Sequence, residues 1–137
     1  MLARIVLATL LSFAVAAPVY SQPRRSAQNS AATPTPDDRA RQWLVLVDDK
    51  NYAQSYTQSG AAFRSHQSSD VWTKSANGKR TPLGAVASRD LKSIDVSRDN
   101  IAVIRYDTVF AHKAATVETV TLAFENGSWS VADYSVN

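Results

Sequence analysis

Two hydrophobic periods divide the chain. Ala40, Trp43, Leu44 and Val47 recur at the spacing of one helical face, and Val45 and Leu46 widen that stripe. Thr35-Pro36-Asp37-Asp38 stands just before it. A threonine can cap a helix, proline suits the first helical position, and acidic residues complement the positive end of the dipole. A helix is therefore predicted from this start to about residue 49. A second short helix over 51–59 carries Tyr52, Ser55 and Tyr56 and is closed by Gly60. A third, over 61–76, presents Phe63 and Trp72 and stops at Asn77-Gly78. It is expected to break at Ser68-Ser69-Asp70, with Ser69 or Asp70 recapping it.

From Pro82 onward apolar residues alternate with polar ones, the period of half-buried strands. Four strands are predicted, over 84–96, 101–112, 116–125 and 128–136. Asn126-Gly127 between the last two is a strong hairpin signal. It sets Phe124 opposite Trp129 and Leu122 opposite Val131, and a β-bulge near Ala132-Asp133 brings Tyr134 and Val136 onto the same apolar face. Lys113-Ala114-Ala115 is read as a three-residue loop, which pairs Phe110 with Glu118, Thr108 with Val120, Tyr106 with Leu122 and Ile104 with Phe124. The fold class is then α+β: N-terminal helices packed on a curved four-stranded antiparallel sheet, a cystatin-like cone.

The first 21 residues read differently. Arg4 is followed by an almost wholly apolar run over 5–17, with small residues at Ala14, Ala16 and Ala17. That is the pattern of a cleavable secretory signal peptide, with cleavage after Ala16, Ala17 or Ser21. The apolar run is shorter than the roughly 20 residues that span a bilayer. Membrane contact is expected only through this segment before cleavage, and the location is periplasmic or secreted. Residues 22–36, rich in Ser, Ala, Pro, Gln and Asn, form a flexible linker, and 37–137 form a single α+β domain.

Composition narrows the chemistry. The chain has no cysteine, which removes thiol nucleophiles, disulfides and cysteine metal sites. Its net charge is only +3, and the basic residues are scattered, so no nucleic-acid partner is expected. His66 and His112 lie on different elements without a carboxylate at ligand spacing, so no metal is expected. The glycines at 60, 78, 84 and 127 build no phosphate loop or dinucleotide fingerprint, and no cofactor is expected.

Glu118 breaks the apolar face, with Val120, Leu122 and Phe124 on its strand. A carboxylate there must meet a cation or hold its proton. Arg80 and Arg89 flank the start of the first strand and are its candidate partners, either as a structural bridge or as part of a site. Trp72, Tyr106 and Tyr134 are placed at the mouth of the cone beside them. The candidate ligand-binding set is thus Trp72, Arg80, Arg89, Tyr106, Glu118 and Tyr134, with no catalytic residue assigned. Arg105 and Asp107 belong to the opposite, solvated face with Thr119 and Thr121.

A set of motifs carries a resemblance. The run Ala40-Arg41-Gln42-Trp43-Leu44-Val45-Leu46-Val47-Asp48, the piece Arg80-Thr81-Pro82-Leu83-Gly84, the strand Glu118-Thr119-Val120-Thr121 and the end Gly127-Ser128-Trp129-Ser130-Val131-Ala132-Asp133-Tyr134 resemble a bacterial exported family of unknown function, DUF 4019. The resemblance implies a cystatin-like or nuclear-transport-factor-two-like fold and a Gram-negative periplasmic setting. It implies no activity. Three functional readings follow. The leading one is a non-catalytic module that binds a small molecule or a protein at the cone. A small acid–base enzyme of the ketosteroid-isomerase or dehydratase kind would pair Glu118 with Tyr106. A structural subunit would form a homodimer through Ile101, Val103, Val109 and Val117 on the outer face.

Overall fold

The structure, a computed structural model, describes residues 32–137. The predicted signal peptide and residues 22–31 of the predicted linker lie outside the described residues. Among the described residues four helices precede four strands: α1 Pro36–Asp48, α2 Tyr52–Thr57, α3 Ala61–His66 and α4 Ser69–Arg80, then β1 Val86–Val96, β2 Ile101–Phe110, β3 Lys113–Glu125 and β4 Ser128–Val136. A single 3-10 turn, Thr81–Leu83, links α4 to β1. The strands form one antiparallel sheet in the order β1-β2-β3-β4. None of the helices among the described residues is long and apolar enough to cross a membrane.

The helix starts are built by local hydrogen bonds. The Thr35 hydroxyl accepts from the Asp38 amide, and the Asp38 carboxylate accepts from the Thr35 amide, a reciprocal capping box. Those bonds hold the Asp38 carboxyl below its ordinary value, first through the Thr35 side chain. The break in the third predicted helix is real, but Ser68 makes the cap, its hydroxyl accepting from the Val71 amide. Asn77-Gly78 does not end α4, which continues to Arg80. A helical glycine costs about 1 kcal/mol. Here the extra turn carries the Arg80 side chain into the core, and Lys79 and Arg80 complement the negative end of the dipole.

The last hairpin has the predicted register, Phe124 with Trp129 and Leu122 with Val131. Asn126 and Gly127 both have positive φ, as a tight two-residue turn requires. Ala132 is the extra residue of a bulge, after which Val120 pairs with Tyr134. The β2–β3 register corrects the expectation. Phe110 pairs with Lys113 across a two-residue bend at Ala111-His112, and an irregularity near Ala114-Ala115 follows. Glu118 therefore pairs with Tyr106, Val120 with Ile104 and Leu122 with Ala102. Alanines are poor strand formers and read as loop, whereas here they sit in the bulged start of β3. The slip from Phe110 to Tyr106 is four residues, an even number, so every side chain keeps its face.

The core lies between the helices and one sheet face. Trp43, Leu44, Val47, Phe63, Trp72 and Ala76 meet Ala102, Ile104, Tyr106, Val120, Leu122, Val131 and Tyr134. Trp43 stands at its centre, 5.4–5.9 Å from the rings of Phe63, Trp72 and Tyr134. Its indole N–H donates to the Ser55 carbonyl at 2.8 Å, so the buried nitrogen is satisfied. Trp72 donates to the Ser55 hydroxyl at 2.9 Å. Helix α1 packs on β2, β3 and β4, and α3 packs on β4. The same face of β1 stays open: Leu91, Ile94 and Val96 are exposed.

Candidate functional site

Period-2 alternation on the sheet brings Arg89, Thr108, Glu118 and Tyr134 to the face that receives the helices. The last turn of α1 adds Asp48, and that of α4 adds Arg80. Glu118 is 0% exposed and accepts four hydrogen bonds. Its Oε1 receives Arg80 Nη1 at 2.5 Å and the Tyr134 hydroxyl at 2.7 Å. Its Oε2 receives Arg89 Nε at 2.7 Å and the Thr108 hydroxyl at 2.7 Å. A carboxylate has about four lone-pair sites, and all are taken.

Asp48 closes the other side. Its Oδ2 accepts from Arg89 Nη1 at 2.8 Å, and its Oδ1 accepts from Arg89 Nη2 at 3.0 Å and from Arg80 Nη2. Arg80 also donates to the Tyr134 oxygen at 2.9 Å and lies over the Phe110 ring at 4.7 Å. Two carboxylates and two guanidiniums thus form a neutral lattice at the edge of the core, with Arg80 and Glu118 buried and Asp48 and Arg89 half-buried. Burial opposes the charge of each arginine, but Tyr134, Glu118 and Asp48 around Arg80, and Asp48 and Glu118 around Arg89, hold both above the ordinary guanidinium value. Tyr134 is pushed up by burial first and by the Glu118 charge second, so its phenol stays protonated and keeps donating.

The sequence-derived candidates divide. Arg80, Arg89, Glu118 and Tyr134 meet in the lattice. Trp72 is buried in the aromatic core, one ring away across Tyr134 at 6.0 Å. Tyr106 is buried too, and its hydroxyl donates to Asp37 at 2.6 Å, away from Glu118. Burial raises its phenol, and the bond to Asp37 adds to the rise. The Glu118–Tyr106 pair that acid–base chemistry would use is not made; the hydroxyl beside Glu118 is that of Tyr134. On the outer face Arg105 donates to Asp95 at 2.6 Å, and Asp107 accepts from Lys92 at 2.8 Å, both in water. Of the apolar outer residues, Val109 is exposed, while Ile101, Val103 and Val117 are half-buried.

Beside the lattice lies a cleft of about 530 Å³, lined by Val47, Asp48, Lys50, Tyr52, Arg80, Thr81, Gly84, Ala85 and Val86. Gly84 has φ 78, and a Cβ there would come within 3.1 Å of Ala111 and His112. Glycine lets the chain turn from the end of α4 into β1 at this wall. Tyr52 is 4% exposed, and its hydroxyl has no hydrogen-bond partner.

The model of DUF4019, described as a protein of unknown function, matches residues 39–134. The chain belongs to this family. A crystal structure from Campylobacter jejuni, provisionally named an NTF2-like transpeptidase, is similar to it at a TM-score of 0.51 and 21% identity, over 72% of this chain and 97% of that one. At that identity the likeness shows the fold: this DUF4019 domain is NTF2-like. None of the curated proteins matches it. The motifs that carry the family resemblance also hold both ends of the lattice, with Asp48 closing the first, Arg80 opening the second and Glu118 the third.

Two lattice members of the DUF4019 domain were missed in sequence. Asp48 stands four residues after Leu44, on the buried stripe of α1. Thr108 lies on the same period as Ile104 and Tyr106. Both positions were readable as inward-facing, and a polar residue at an inward position signals a partner. Tyr52 carried no such signal, because a tyrosine on a short helix reads as core.

Proposed function

We propose that this domain is an exported, non-catalytic binding module that takes a small molecule or a protein segment into the cleft between the end of α1 and the start of β1. The observation that carries this reading is the saturation of Glu118. Its four acceptor positions are filled by Arg80, Tyr134, Arg89 and Thr108. A general base needs a free lone pair within reach of a substrate proton, and this carboxylate spends its lone pairs on holding α4, β1, β2 and β4 together. The open space lies at the Asp48 and Arg80 side of the lattice, lined further by apolar Val47, Ala85 and Val86 and by polar Lys50, Tyr52 and Thr81. Apolar walls with a few convergent polar groups are the usual make-up of a ligand site. The pattern over residues 1–21 supports export, and the family resemblance supports a periplasmic setting.

The test is a fragment screen by amide NMR. Shifts should converge on residues 47–52 and 80–86. Ala85→Trp, at an exposed position on the cleft wall, should abolish them and leave the rest of the spectrum in place. Hits scattered elsewhere on the surface, or unaffected by Ala85→Trp, would overturn the reading.

A further inference from the structure

We propose that Asn126-Gly127 is a site of spontaneous covalent modification, at which the Gly127 backbone nitrogen closes on the Asn126 side chain and water opens the ring to aspartate and isoaspartate. The site is separate from the cleft and needs no ligand.

The chain offers this reaction twice, since Asn-Gly stands at 77–78 as well as at 126–127. Glycine in the second place leaves the attacking nitrogen without a side chain beside it to block the approach. Both pairs are exposed, so water reaches either one. The backbone separates them. Asn77 and Gly78 lie inside α4. The Asn77 carbonyl accepts from the Thr81 amide, and its Oδ1 accepts from the Thr81 hydroxyl at 3.1 Å. A helical backbone points each nitrogen along the helix axis, away from the preceding side chain. Ring closure at Asn77 therefore requires unwinding the end of α4, which carries Arg80 to Glu118.

Asn126-Gly127 has no comparable hold. The two residues are the whole connection between β3 and β4, with φ 51° and 81°. A Cβ on Gly127 would meet nothing within 4 Å, so no packing clamps the turn. The side-chain bond across it, from the Ser128 hydroxyl to the Glu125 carbonyl, is 3.5 Å long. Opening the turn parts first the Glu125–Ser128 pair at the end of the sheet, and the lattice is untouched.

The atoms balance with water alone. The Gly127 nitrogen gives its proton to solvent and bonds to Asn126 Cγ; the Cγ–Nδ2 bond breaks, and the nitrogen leaves as ammonia. Water then adds to one of the two ring carbonyls. Breaking the new N–Cγ bond yields aspartate. Breaking the original peptide bond yields isoaspartate, whose main chain runs through the side-chain carbons. Nothing is oxidised or reduced. The longer main chain does not fit a two-residue turn, so isoaspartate loosens the register that sets Phe124 against Trp129, whose rings lie 5.2 Å apart.

The experiment keeps the purified protein in mildly alkaline buffer and follows both Asn-Gly pairs by peptide mass spectrometry, with fragmentation that separates isoaspartate from aspartate. In the folded protein Asn126 should be lost about tenfold or more faster than Asn77. In urea the two should react at similar rates, because the protection at Asn77 is structural. Asn126→Gly, which suits the positive φ, should keep the melting temperature and remove the fast product. Isoaspartate at 126 should shift the amides of Phe124 and Trp129, and Asn126→Asp should not. Equal or slower loss at Asn126 than at Asn77 in the folded protein would overturn the proposal. Aspartate as the sole product would also overturn it, since direct hydrolysis of the side chain would then replace ring closure.

Discussion

The two ends of the core are held by different physics, and Tyr134 belongs to both. Its ring packs with Trp43 and Trp72 at 5.4 and 6.0 Å, while its hydroxyl donates to Glu118 at 2.7 Å. On the ring side the helices meet β3 and β4 through apolar area, which is non-directional and tolerates changes in proportion to the atoms removed. On the hydroxyl side the buried Arg80 and Glu118 and the half-buried Asp48 and Arg89 meet through directed bonds between charges. There, loss of one member leaves the charge of Arg80 or Glu118 short of a partner in the core. The comparison teaches that a buried charge cluster, commonly a sign of a site, can be the fastener of the fold. The open cleft beside it is then the better guide to function.

Breaking the ionic end has the largest expected effect. Glu118→Gln leaves the buried Arg80 and the half-buried Arg89 facing one carboxylate and should cost about 3 kcal/mol in urea denaturation. A loss below about 1 kcal/mol would mean that water reaches the lattice. The aromatic end should yield more gently. Trp72→Phe removes ring volume and the bond to Ser55, and should cost about 2 kcal/mol with the fold retained. If it costs more than Glu118→Gln, the comparison is inverted.

Tyr134 sharpens the contrast through pH. Its native value is raised while the unfolded phenol titrates near 10. Its contribution is therefore complete below about pH 10 and is lost as pH climbs toward the raised native value, at up to about 1.4 kcal/mol per pH unit. Tyr134→Phe should flatten the alkaline decline of the melting temperature between about pH 10 and 11. An unchanged slope would place the titration elsewhere. The smallest effect belongs to the open face of β1. Leu91→Ser, at a residue 43% exposed, should change stability by less than about 0.5 kcal/mol.

Most of the fold was legible because it rests on periodicity. The stripe of α1, the Thr35 cap, the alternation of β2 to β4 and the Asn126-Gly127 turn are local signals, and each was read correctly. Family and fold, too, followed from motifs in α1, α4, β3 and β4. What failed was decided at long range. Helix α4 runs through Gly78 because Arg80 has partners 32 and 38 positions away, which no local rule weighs. The β2–β3 register depends on a bulge at Ala114-Ala115, where propensity points to a loop. Reading Glu118, Arg80 and Arg89 as a group was sound. Their closure by Asp48 and Thr108 was not visible, because burial and parity place a side chain on a face without saying which partner it meets.

A double-mutant cycle on Arg89 and Glu118 decides most directly whether this lattice fastens the fold. Urea unfolding of Arg89→Met, Glu118→Gln and the pair should give a coupling of about 2 kcal/mol or more, because the charges meet at 2.7 Å on a fully buried carboxylate. A coupling below about 0.5 kcal/mol would show two independent side chains and would return Glu118 to the list of groups free to act on a ligand.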